Sequence, residues 1–246
     1  MTGPGHLRDR FLSYVEKALR EAKLRTDWIA VDESFEREVL CFAGNLLDAD
    51  NAGFADDFDR TLQPIIRAGN INALSQLLAK LTGPGVPDIY QGSERSDFNL
   101  VDPDNRRPVD FDALARSMEA QDAMAAPSGF ADLKQRLTAR ILAARAAYPE
   151  LFIEGSHVPL AITGADAGAF VAYLREHRDR AALVVLQRGS NQLPTPPSDA
   201  RELTLPRPFQ GRNVLTGRRL HGAATLPLHA VLDGLPVALC ITEREH

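Results

Sequence analysis

The sequence predicts an α+β chain, helical over residues 1–150 and folded as a small antiparallel β-sandwich over 151–246. Three observations carry that prediction. Apolar residues recur at the spacing of amphipathic helices as far as Tyr148. After Pro149 the pattern changes to short runs rich in β-branched and aromatic residues. Gly, Asp and Ser clusters bound those runs, as turns between strands require.

Taken in order, the first helix is expected from Arg8 to Arg25, with Phe11, Leu12, Val15, Leu19 and Ala22 on one face and charges on the other. Asp32 suits the N-cap of a second helix, whose apolar face holds Phe35, Val39, Phe42, Leu46 and Leu47. A third aligns Phe54, Phe58, Leu62 and Ile65, and Pro64 should kink or divide it. Asn70 then caps a fourth, with Leu74, Leu77, Leu78 and Leu81 inward and Gly83-Pro84 as its stop. Pro87–Tyr90 is too short for a helix and suits a brief buried strand. Past a polar loop, Asp110 or Asp112 caps a helix carrying Leu114 and Met118, and another runs from Phe130 to Tyr148. Strands are expected at 157–163, 169–175, 181–188, 202–205, 213–215, 225–231 and 236–242, with turns at Gly217 and Gly234. The proline-rich stretch Asn191–Ser198 reads as a loop.

A chain of 246 residues, 44% of them apolar, is long enough for two domains with a sizeable core. Its net charge of -5 argues against a nucleic-acid groove or an anionic membrane surface as partner. Uncharged sugars remain compatible with it. No apolar run approaches a membrane span, and the N-terminus has no hydrophobic signal region, so a cytoplasmic location is expected. Cys41 and Cys240 lie among apolar neighbours and read as two buried thiols rather than a disulfide. Neither Cys-x-x-Cys nor His-Glu-x-x-His occurs, and Pro84-Gly85-Val86-Pro87 lacks the N–H groups of a phosphate cradle. Neither a metal nor a cofactor is expected.

The densest chemistry lies between Tyr90 and Asp110. Tyr90 and Gln91 offer an aromatic platform and an amide, a combination that suits the apolar face and polar edge of a sugar ring. The alternative is that Tyr90 packs inward. Glu94, Asp97, Asp102 and Asp104 are carboxylates on one loop, whereas paired acid and nucleophile groups are usually held on separate rigid elements. They read as hydrogen-bonding or loop-folding groups. Asn105, Arg106 and Arg107 fit either vicinal hydroxyls or internal partners such as Asp102 and Asp104. The candidate substrate-binding residues are therefore Tyr90, Gln91, Glu94, Asp102, Asn105, Arg106 and Arg107, and no catalytic residue is assigned. Trp28, the sole tryptophan, is read as a core residue, with sugar stacking as the alternative.

One strand among several helices does not complete an α/β domain. Either the helices form their own bundle or they belong to something larger. The motifs favour the second option. Gly85-Val86-Pro87-Asp88-Ile89-Tyr90-Gln91-Gly92-Ser93-Glu94 resembles the eighth-strand segment of α-amylase-type glycosidases. Joined to Leu100-Val101-Asp102-Pro103-Asp104-Asn105-Arg106-Arg107-Pro108-Val109-Asp110, it resembles more specifically the maltooligosyl trehalose synthase family. Lys17–Lys23 with Thr26 and Trp28, Asn72–Gln76 and Arg212–Gly217 extend the resemblance over nearly the whole chain.

The resemblance implies a helical remnant of a (β/α)8 barrel, its last helices and strand eight, followed by the β-domain. It implies a parent enzyme that converts the reducing-end α-1,4 bond of a maltooligosaccharide into an α,α-1,1 bond through a two-carboxylate retaining scheme. The family's Asp, Glu and Asp groups sit on barrel strands four, five and seven, which the resemblance locates upstream of these residues. The chain by itself is thus expected to be inert. Its expected partners are an α-glucan, the missing N-terminal part of the barrel and, through uncovered apolar faces, other copies of itself. A fragment of an amylase-type hydrolase or glucanotransferase, and a non-catalytic carbohydrate-binding or assembly module, are the alternatives.

Overall fold

A computed structural model describes residues 4–123, 127–164, 166–189 and 201–243. The loop expected at Asn191–Ser198 lies outside them. The described chain is mixed helix and antiparallel sheet, and it divides into two compact units, residues 1–63 with 97–109 and residues 64–96 with 110–246.

The first unit contains α1 (Pro4–Ala22), α2 (Glu33–Asn45) and the beginning of α3 (Ala52–Thr82). Asp32 caps α2 as expected, its side chain accepting from the Phe35 N–H at 3.0 Å. The face that α2 buries is not the one expected. Glu36, Ala43 and Gly44 are buried, whereas Phe42 is 65% exposed and Leu47 is exposed. A carboxylate with two strong donors outranks the apolar stripe here, and the small Ala43 and Gly44 admit the close approach of Arg8 from α1. Cys41 is likewise exposed rather than buried.

Helix α3 corrects another expectation. It runs unbroken from Ala52 to Thr82 with Pro64 inside it, so Asn70 caps nothing. An interior proline removes one backbone hydrogen bond and costs about 3 kcal/mol. Beyond it, Ala68, Leu74, Leu77, Leu78 and Leu81 are buried in the second unit, and that burial holds the helix in register. Pro64 marks the boundary between the two compact units instead.

The second unit is built on a six-stranded antiparallel sheet in the order β1-β3-β4-β9-β6-β7. Its strands are β1 (Ser156–Leu160), β3 (Phe170–His177), β4 (Arg180–Gln187), β6 (Phe209–Asn213), β7 (Arg219–Gly222) and β9 (Val237–Thr242). A three-stranded sheet pairs β2 (Ile162–Thr163), β5 (Glu202–Thr204) and β8 (Thr225–Pro227). The central strands are apolar at consecutive positions because both faces are covered. Ala182, Val184 and Leu186 of β4, with Val237, Leu239 and Ile241 of β9, enter one core with the end of α3, α5 (Phe130–Ala147) and α6 (Pro149–Ile153). Ala181, Leu183 and Val185, with Ala238 and Cys240, enter a second core with Leu203 of β5 and Leu226 of β8. Burial raises the pKa of the Cys240 thiol.

Several strand expectations change in this unit, and the run expected as one strand at 157–163 divides into β1 and β2, which join different sheets. The stretch expected as a strand to Val231 stops at Pro227, and α7 (Leu228–Leu232) follows, burying Leu228, Val231 and Leu232 at helical spacing. Residues 214–216 form a turn after β6, and β7 escaped the sequence reading because Arg219-Leu220-His221-Gly222 buries only one large apolar side chain, Leu220. Asn213 closes that turn, accepting from Leu215 N–H at 2.9 Å and donating to Val231 C=O at 3.0 Å. Side chains also fasten α3 to the end of β4. Ser75 Oγ donates to Gln187 C=O at 2.6 Å, and Asn72 Oδ1 accepts from Gly189 N–H at 2.8 Å. Gly189 permits that approach, since a Cβ there would lie 2.3 Å from Ala68 O.

Candidate functional site

The candidate residues fall in both units, and each group is set by its own surroundings. In the second unit, Pro87–Tyr90 is not a buried strand; it is an unpaired segment in which Tyr90 is 49% exposed. No strand lies beside it among the described residues, and cationic side chains take the Asp88 carbonyl and the carbonyls just before the segment. Arg145 Nη1 donates to Leu81 and Gly83 C=O at 2.8 and 2.9 Å, and Nη2 donates to Gly85 C=O. Burial, and then the nearby charge of Arg175, lower the pKa of Arg145. Lys80 Nζ takes Asp88 C=O at 2.7 Å. Gly85 at φ +86° and Gly92 at φ +82° occupy left-handed positions that favour glycine.

The next turn is held just as firmly. Ser93 N–H donates to Tyr90 C=O at 2.9 Å, and Lys134 Nζ from α5 reaches Ser93 and Arg95 C=O at 2.8 and 3.0 Å. Arg95 pairs with Asp132 at 2.7 Å. The Ser128 hydroxyl first, with Arg95 and Ser117 behind it, lowers the pKa of Asp132. The Asp110 carboxylate then starts α4 (Phe111–Ala123) by accepting Ala113 N–H at 2.8 Å. Within this frame Gln91 is exposed and Glu94 half-buried.

In the first unit, the loop 97–109 folds on Asp104. Its carboxylate accepts from Arg10 Nε at 2.8 Å, Arg10 Nη2 at 2.6 Å and Leu100 N–H at 2.9 Å, and Arg107 Nε lies 3.1 Å away. The Arg10 guanidinium is the main reason that its pKa falls to about 2. Arg107 also donates to Asp104 C=O at 3.0 Å and Asn99 Oδ1 at 2.8 Å. Arg106 pairs with Asp102 at 2.7 Å, and Lys17 Nζ donates to the Asp102 carbonyl. Asn105 is exposed.

This loop and α1 enclose a cavity of about 490 Å³, within the range of small-molecule sites. Tyr14, Lys17 and Trp28 line it together with Asp102, Pro103 and Arg107. Trp28 is 55% exposed, not a core residue. The Arg20 guanidinium lies 5.0 Å from its ring centroid. Arg20 is in turn fixed bidentately by Glu36 at 3.0 and 2.8 Å, and Glu36 accepts from Thr26 Oγ1 at 2.6 Å. Arg20 first, then Thr26, draw the Glu36 carboxyl down to about 2. Sequence reasoning singled out Asp102 and Arg107 of this cavity and missed Arg10, Tyr14 and Lys17 as contributors. Arg10, Tyr14 and Lys17 recur at i, i+4 and i+7 on one face of α1, and Lys17 opens the Lys17–Lys23 stretch that the resemblance includes.

The described chain is mixed helix and antiparallel sheet, with a polar loop folded on Asp104 in the first unit. The maltooligosyltrehalose synthase of Arthrobacter ramosus matches it with TM-score 0.82 at 32% identity, over 96% of this chain and 30% of that one. The crystal structure of another maltooligosyl trehalose synthase matches at TM-score 0.73 and 23% identity, a likeness of fold. Among curated proteins, a putative maltooligosyl trehalose synthase of Mycobacterium tuberculosis is 33% identical over 238 residues, 97% of this chain and 29% of the relative. No protein-family model matches. The chain is related along nearly its whole length to one segment of the maltooligosyl trehalose synthases, and it spans about 30% of their length.

Proposed function

We propose that these residues are the C-terminal part of an enzyme that isomerises the reducing-end α-1,4 bond of maltooligosaccharides to an α,α-1,1 bond, in the service of trehalose synthesis. Residues 1–150 supply the last helices and strand-eight segment of a (β/α)8 barrel, and residues 151–246 form the trailing β-sandwich domain. Tyr90, Gln91, Glu94, Asp102, Asn105, Arg106 and Arg107 belong to the rim of the glucan cleft. The carboxylates that cleave and remake the bond belong to polypeptide outside these residues, so the chain alone does not turn over substrate. The enzyme is cytoplasmic, and copies of the isolated chain self-associate through exposed apolar side chains such as Phe42, Phe58 and Phe98.

The observation that carries this reading is the joined motif from Gly85 to Asp110, inside a chain 33% identical to a putative maltooligosyl trehalose synthase over 97% of its length. Retaining hydrolysis and intramolecular transfer share one covalent intermediate and differ in the acceptor. Product analysis therefore tests it. The enzyme bearing this segment, given maltopentaose, is expected to yield a non-reducing product of unchanged length. Shorter reducing sugars as the sole products would identify a hydrolase. Rearrangement of maltopentaose by the 246-residue chain unaided would overturn the assignment of the bond-breaking groups.

A further inference from the structure

Helix α5 grips the segment 81–95 at two places. Arg145, near the C-terminal end of α5, donates to the Leu81, Gly83 and Gly85 carbonyls. Lys134, near its N-terminal end, donates to the Ser93 and Arg95 carbonyls. An interval of about eleven residues is three helical turns, so the two cations share one face of α5, roughly 16 Å apart along its axis. The grips fall at or beside the two left-handed glycines, Gly85 and Gly92, where the main chain turns. Tyr90 and Gln91 stand between those glycines, and Glu94 stands between the two carbonyls that Lys134 takes.

Capping α3 does not account for this arrangement. The helix ends at Thr82, and Gly83 N–H closes its last turn on Ala79 C=O at 3.0 Å. Of the carbonyls that Arg145 holds, only that of Leu81 belongs to α3; those of Gly83 and Gly85 lie beyond it. The support is rigid, because Leu137, Ile141 and Ala144 of α5 are buried in the first core. Ile89 packs against the same core, whereas its neighbour Tyr90 is half exposed. Both cations take main-chain carbonyls, which leaves the side chains of Tyr90, Gln91 and Glu94 to meet a ligand.

We infer that Arg145 and Lys134 are positioning residues: from one face of α5 they hold the segment 85–95 so that Tyr90, Gln91 and Glu94 are in place before substrate arrives. The inference rests on the reading of those three residues as part of the cleft rim, and it gives a role to two residues that reading does not use. A turn ordered in advance lowers the cost of association. A loosened turn must be ordered by the substrate, which raises KM, whereas a loss of folded protein lowers the apparent kcat and leaves KM where it was.

On the 246-residue chain, chymotryptic cleavage after Tyr90 reports local opening of this segment. Arg145→Lys keeps the charge but replaces a planar fork with one ammonium, and Lys134→Met removes both bonds to the Ser93 turn. Each is expected to speed cleavage after Tyr90 about tenfold, with cleavage after Phe42 of the first unit and the helical circular dichroism unchanged. In the enzyme bearing this segment, each should raise the KM for maltopentaose about fivefold or more while kcat changes less than about twofold. Lys134→Arg, which still reaches two carbonyls, should keep the KM that Lys134→Met loses, and this pair carries the test where Arg145→Lys folds poorly. Unchanged cleavage after Tyr90 in the variants, a fall in kcat with KM unmoved, or equal KM for Lys134→Arg and Lys134→Met would each overturn the inference. Product analysis of the unsubstituted enzyme is independent of these outcomes, so failure of the positioning role and failure of the mutase reading are told apart.

Discussion

The two compact units are held together by different physics. The second is a conventional apolar interior: Phe152, Leu183, Val184, Val231 and Leu239 have no measurable exposure, and polar groups there serve mainly to fasten turns. In the first unit the buried and half-buried positions include Glu36, Thr26, Arg10 and Asp104, while Phe42, Phe58 and Trp28 are exposed. One unit removes chiefly apolar surface from water, whereas the buried and half-buried positions of the other include two carboxylates in ion pairs. The lesson is that the cavity lies in the unit whose buried positions include a charged and a polar side chain, Glu36 and Thr26. Precise polar geometry near a surface is what a ligand site needs, and an apolar core is what a rigid support needs.

That contrast can be broken in several ways. The largest effect is expected from Phe152→Ala, which empties a fully buried site between the helices and the large sheet. Denaturant unfolding followed by far-UV circular dichroism should show a loss of about 3–5 kcal/mol. A loss below about 1 kcal/mol would mean that the core in the second unit is not close-packed. Asp104→Asn should be next. It leaves Arg10 facing a neutral partner and should cost about 1–3 kcal/mol, read from the Trp28 fluorescence transition.

Acid should act on the first unit through two carboxylates, and on the second through Asp132, whose pKa is also lowered. Asp104 and Glu36 are drawn to about 2 in the folded state, below their ordinary values of 3.8 and 4.5. A carboxylate with a lowered folded pKa stabilises the fold fully above its unfolded pKa, and that stability fades as pH falls through the folded value. Trp28 emission is therefore expected to change between about pH 4 and pH 2, while the aliphatic core has no carboxylate to lose in that window. Stability of the Trp28 signal that rises on acidification would contradict the assigned pairs. The smallest effect is expected from Arg106→Ala. Its pair with Asp102 is exposed on both sides, so unfolding should shift by at most about 1 kcal/mol. A larger shift would give Arg106 a structural role that its exposure does not suggest.

Much of this was legible in the chain. Asp32 and Asp110 act as helix caps where their position ahead of apolar periodicity said they would. The runs rich in β-formers at 181–188 and 236–242 foretold β4 and β9, and Gly217 and Gly234 adopt the positive φ that their turns need. Asp102 and Arg107, singled out from the loop composition, line the cavity. Trp28 was misread as core because tryptophan is usually packed, and the guanidinium that holds it comes from another turn of the chain.

Sequence by itself determined the caps of α2 and α4, where the period changes from helix to strand, and which stretch concentrates polar chemistry. Those properties depend on neighbours a few residues apart. Tertiary structure decided that α3 passes through Pro64, that Pro87–Tyr90 stays unpaired with Arg145 on the carbonyls before it, and that Arg10 meets Asp104 across 94 residues. Each of those outcomes depends on which distant group reaches a charge or a bare carbonyl first, and a local pattern holds no record of that competition.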